Sequence, residues 1–115
     1  MEISKADWSL FKAKIPQWQE AYMDRLNQEY QSILSSDLSP SDKFWAIEQR
    51  ISQDKRRTGV QLQLRRSEML WHLIGLIHEG AITRKDLSDF SEDLQAGIDF
   101  LLTRGQESPA NGEDA

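Results

Sequence analysis

The sequence predicts an all-α protein, a compact bundle of four to five helices with a disordered acidic C-terminal tail. Three observations carry this expectation. Apolar residues recur at helical spacing in several segments. Only one short stretch alternates as a strand would, so a sheet has no second strand to pair with. Third, Met69 to Ile77 (MLWHLIGLI) is the most apolar run in the chain, with seven of nine residues Met, Leu, Ile or Trp. A helix of that composition belongs in a core. It is far too short to cross a bilayer, which takes about 20 apolar residues.

The elements follow in order. Ser4 caps a first helix bearing Trp8 and Phe11. At 100° per residue Ile15, Trp18, Tyr22, Leu26, Tyr30 and Ile33 share one face up to about Ser35. Pro16 interrupts this stripe. Inside a helix it costs about 3 kcal/mol, whereas at the first position of a new helix it is favourable. Residues 5–35 are therefore read as two helices nearly in line, broken at Lys14–Ile15, with one kinked helix as the alternative. Ser39, Pro40 and Asp42 start the next helix in capping-box style, with Phe44, Ile47 and Ile51 on one stripe and Trp45 about 100° round from Phe44. Thr58–Gly59 ends it, with Lys55, Arg56 and Arg57 in the last turn.

Val60, Leu62 and Leu64 alternate with glutamines. With no partner strand in sight, the central helix is extended back to Gln61 and ends at Gly80. Thr83 caps the next segment with Asp86 three residues on, and Leu87, Phe90, Leu94, Ile98 and Leu101 form its apolar stripe. Ser91 can start a fresh helix, so residues 84–104 are either one helix or two. Residues 1–104 are read as a single domain and residues 105–115 (GQESPANGEDA) as the disordered tail.

Composition narrows the function. The 115 residues suffice for a core without metal or disulfide staples, and the absence of cysteine removes thiolate metal sites and cysteine nucleophiles. The N-terminal MEISKADW lacks the apolar core of a signal peptide, which predicts a cytoplasmic protein without a membrane segment. Net charge is −5, distributed as −3 over residues 1–54, +4 over 55–78 and −6 over 79–115. The preferred expectation is that the acidic final third folds back on the basic middle. There is no glycine-rich phosphate loop, no nucleophile elbow and no His-Glu-x-x-His.

Three candidate sites remain. On a helix begun at Gln61, the residues Gln61, Arg65, Glu68, His72 and Glu79 form a narrow polar seam. Glu68, His72 and Glu79 there suggest half of a metal site or a carboxylate–histidine pair. No other segment offers matching ligands, so the seam is read as ordinary surface, and no catalytic, cofactor or metal residue is assigned. Second, Lys55, Arg56, Arg57, Arg65 and Arg66 around a short turn loosely resemble the cations of a helix-turn-helix. Nucleic-acid binding through residues 55–66 is therefore the alternative function, weakened by the overall acidity. Third, Trp45 and Phe100 fall off their apolar stripes. Paired with Arg57 and Arg104 they have the composition of an interaction hot spot. The leading expectation is a non-catalytic adaptor, regulator or inhibitor that binds another protein, or its own second copy, through a helical surface.

Overall fold

The structure, a computed structural model, describes residues 2–104 in full and residues 105–114 by their backbone alone. It is all-helical, with four α-helices in the order α1 (Lys5–Leu34), α2 (Pro40–Asp54), α3 (Met69–His78) and α4 (Glu92–Asp114). Short 3-10 turns precede α3 (Arg66–Glu68) and α4 (Arg84–Leu87). The side chains of the tail expected over residues 105–115 lie outside the described residues. No described helix is long and apolar enough to cross a membrane.

The expected break at Lys14–Ile15 is absent. α1 is one helix of 30 residues with Pro16 inside it, about 45 Å long at 1.5 Å per residue. Pro16 and Lys12 are both exposed, so the helical hydrogen bond that Pro16 removes is lost on the solvent side of α1. The inward face runs unbroken through Phe11, Ile15, Tyr22 and Leu26, all buried. Burial along that face outweighs one lost hydrogen bond.

The core forms around the first half of α1. Phe11 and Ile15 pack with Met69, Leu73, Ile74 and Leu76 of α3, and with Leu87, Phe90, Leu94 and Ile98 from the α4 side. Met69, Leu73, Leu76, Leu94 and Ile98 are fully buried. Capping signals act where the sequence places them. The Ser4 hydroxyl accepts from the Asp7 amide (3.1 Å), Ser39 accepts from Asp42 with Pro40 opening α2, and Thr83 and Asp86 form a capping box. Gly80 (φ 80°) ends α3, with the Ala81 amide donating to the Leu76 carbonyl at 2.9 Å.

Two boundaries differ from expectation. α2 stops at Asp54 rather than Thr58, so Lys55, Arg56 and Arg57 lie beyond its end. Residues 61–65 are extended, not the start of the central helix. The alternation of Val60, Leu62 and Leu64 is not used as a strand would use it: Val60 closes the turn, its amide donating to the Arg57 carbonyl, and Leu64 is exposed. Leu62 packs on the core while Gln61, Gln63 and Leu64 face outward. This strand-like connection is pinned by Arg66 Nη2, which donates to the Ile3 carbonyl at 2.6 Å. The break offered at Phe90–Ser91 is real. The Ser91 hydroxyl accepts from the Leu94 amide, and both its hydroxyl and its own amide donate to the buried Asp7 carboxylate (2.6 and 3.0 Å).

Candidate interaction surface

The second half of α1 pairs with α2 as a helical hairpin projecting from the core. Asp54 is the one buried residue of α2, 2% exposed. Its carboxylate accepts from the Tyr30 hydroxyl (2.6 Å) and from Arg57 Nε (3.1 Å), and Arg50 Nη2 lies 3.2 Å away. Arg50 also pairs with Glu29 of α1 at 2.5 Å and sits over the Tyr30 ring, 5.4 Å from its centroid. Burial pushes the Asp54 carboxyl up, but the Tyr30 hydroxyl, Arg57 and Arg50 together hold it below the usual carboxylate range. Tyr30 is pushed up to about 12, by burial first and then by its bond to Asp54. α2 is thus fastened to α1 by a buried carboxylate hub.

The turn after α2 is held just as firmly. Glu79, at the end of α3, accepts from the backbone amides of Thr58 and Gly59, each at 2.9 Å. Gln19 of α1 donates to the Thr58 carbonyl at 3.0 Å. Gly59 lies flat on the Tyr22 ring, where any Cβ would collide with the aromatic carbons. On the other side, a Cβ at Gly75 would lie 3.1 Å from Thr58 Oγ1. The turn is therefore wedged between α1 and α3.

With the hub and the turn holding α2, its apolar residues stay outside. Phe44 and Trp45 are each 62% exposed and touch edge to face with centroids 5.0 Å apart. Ile51 is 44% exposed, and Leu34 and Leu38 are exposed at the α1–α2 connection. By the 100° step Asp54 lies opposite Trp45 and about 80° from Phe44, so pointing the hub at α1 turns Trp45 outward with Phe44 beside it, while Ile51 stays at the edge of the α1–α2 groove. Beside Ile51 a groove of ≈ 250 Å³ opens between the two helices, with Met23, Leu26 and Val60 among its lining.

The basic cluster does not act as one surface. Arg57 is engaged by Asp54, Arg65 by Gln63 (2.8 Å) and Glu68 (3.6 Å), and Arg66 by the Ile3 carbonyl. Among the described residues the carboxylates paired with these cations are Asp54 and Glu68, and Glu79 of the acidic final third binds the amides of the adjoining turn. Lys55 and Arg56 remain exposed.

The polar seam is likewise taken apart. Gln61 and Arg65 are off the helix, and Glu79 is occupied by the two amides. The Glu68–His72 pair survives at 3.5 Å, with the His72 ring stacked on Phe11 at 6.5 Å. His72 Nδ1 is buried and has no hydrogen-bond partner among the described residues. No group of three or more metal-ligating side chains gathers among those residues.

Trp45 is exposed as anticipated, but it meets Phe44 edge to face while Arg57 turns to Asp54. Phe100 is 60% exposed with the Arg104 guanidinium over its ring at 5.6 Å. It borders a depression shared with Glu2, Asp93 and Gly97, so it does not join Trp45 in one patch. Sequence reasoning missed the exposure of Phe44, Ile51 and Trp71. A signal for the first two was present: Arg50 and Asp54, four apart, mark a polar flank of α2 that a charged residue of α1 can engage. No family model matches the chain, and no curated protein or solved structure is similar to it.

Proposed function

We propose that the protein is a non-catalytic interaction protein of the cytoplasm, of adaptor, regulator or inhibitor type, that binds a protein presenting an apolar helical face to the outer side of α2. One observation carries this reading. α2 gives the interior a single residue, Asp54, while Phe44, Trp45 and Ile51 stand in solvent. With Leu34 and Leu38 they expose apolar surface on the order of 500 Å² in total along the hairpin, and exposed apolar surface of that extent is often functional. Exposed aromatics on such a surface are the residues that dominate binding energy at protein interfaces.

The test is a Phe44→Ser/Trp45→Ser variant melted in dilute solution beside the parent. Side chains that wait for a partner leave the isolated fold within about 0.5 kcal/mol of the parent. A loss above about 2 kcal/mol would place them in the fold's own core and remove the reading.

A further inference from the structure

Resting on the reading of α2 as an interaction face, we infer that its occupant is a second copy of this chain, with the two α2 helices packed antiparallel about a two-fold axis. Three features of the page converge on self-pairing. The first is a matching knob and hole on one surface. In an antiparallel pair centred between Ile47 and Glu48, Phe44 of one copy faces Ile51 of the other, because the two positions are symmetric about that centre. Ile51 borders the ≈ 250 Å³ groove with Met23, Leu26 and Val60. A cavity of about 150 Å³ lined by such side chains accepts a benzene ring, so the groove has room for the Phe44 ring. The two-fold repeats the insertion, as an isologous interface requires.

The second feature is charge. The N-terminal end of α2 carries Asp37 and Asp42 beside one cation, Lys43, for a net −1, and the C-terminal end carries Lys55 and Arg56. None of these side chains enters an ion pair among the described residues. Antiparallel pairing sets each acidic end beside the other copy's basic end, and it also opposes the helix dipoles. Glu48, near the axis, is drawn along its own helix by the Ser52 hydroxyl at 2.9 Å. The third feature is area. Apolar surface on the order of 500 Å² with its charged rim approaches the roughly 800 Å² per partner of a stable interface. The chain's own last eleven residues hold no apolar side chain larger than alanine or proline, so they cannot fill an apolar groove.

The test is sedimentation of the full chain over a range of concentrations, with four variants. Self-pairing predicts a dimer that dissociates on dilution and is weakened at least about tenfold by Phe44→Ser. Asp42→Lys alone and Lys55→Asp alone each weaken it, since each sets like charges against one another. Mixing those two variants restores a mixed dimer, because one copy then offers two basic ends and the other two acidic ends. The double variant Asp42→Lys/Lys55→Asp recovers the dimer as well. A chain that stays monomeric at every concentration overturns self-pairing and leaves the α2 face to a different protein. A dimer that ignores Phe44→Ser, or a mixture that does not recover, overturns the antiparallel geometry. Failure of the interaction reading itself would show instead as lost stability in the Phe44→Ser/Trp45→Ser melt.

Discussion

Tyr30 and Asp54 decide how α2 attaches, and their ionisation makes that attachment sensitive to pH at both extremes. Tyr30 ionises near 10.0 when free and near 12 in the fold. A group whose folded value is raised contributes stability below its unfolded value and loses it as pH climbs to the folded one. Stability should therefore fall between about pH 10 and 12, and Tyr30→Phe should flatten that limb in urea titrations across the range. Part of the slope should persist, because burial also raises Tyr22. Asp54 works with the opposite sign. Its lowered value adds stability above the ordinary carboxylate range, which is lost as pH drops through the folded value. An alkaline limb identical in parent and Tyr30→Phe would mean that the hydroxyl does not donate to Asp54 in solution.

At the scale of elements, what the sequence conveys depends on how local the cause is. Caps need only neighbours three residues apart, so Ser4, Ser39 with Pro40, and Thr83 with Asp86 were legible, as was the Leu87–Ile98 stripe. Pro16 misled because the local penalty was visible while the compensating burial on both sides of it was not. The consequence is measurable. Pro16→Ala should restore the hydrogen bond to the Lys12 carbonyl and stabilise the protein by about 2–2.6 kcal/mol, the helical penalty of proline less the entropy it removes from the unfolded chain. Were residues 5–34 two helices with Pro16 at a first position, the same substitution would bring no gain. The extended segment 61–65 was misread for a related reason. Its alternation suggested neither outcome, because Leu62 alone packs on the core while Leu64 is exposed.

At the scale of the molecule, the contacts that assemble the candidate surface are the ones no sequence pattern reveals. Asp7 reaches Ser91 across 84 positions, Arg66 reaches Ile3 across 63, and Glu79 reaches Thr58 across 21. None of these leaves a period or a spacing. The sequence could show that Trp45 and Phe100 fall off their stripes, but not that a carboxylate hub would leave Phe44 exposed beside Trp45 and Ile51 at the edge of an open groove. The result is a molecule of two unequal parts: a conventional apolar core around α3, and a hairpin held by polar contacts whose apolar side faces solvent. That division is the central claim, and Trp45 reports on it directly. In protein carrying fluorinated tryptophan, the fluorine resonance of Trp45, assigned by Trp45→Phe, should respond to solvent as an exposed ring in dilute solution. It should then shift on concentration while those of Trp8 and Trp18, packed against the core, stay fixed. A Trp45 resonance shielded from solvent even at high dilution would contradict the account, because α2 would then be packed into the fold it is held to leave.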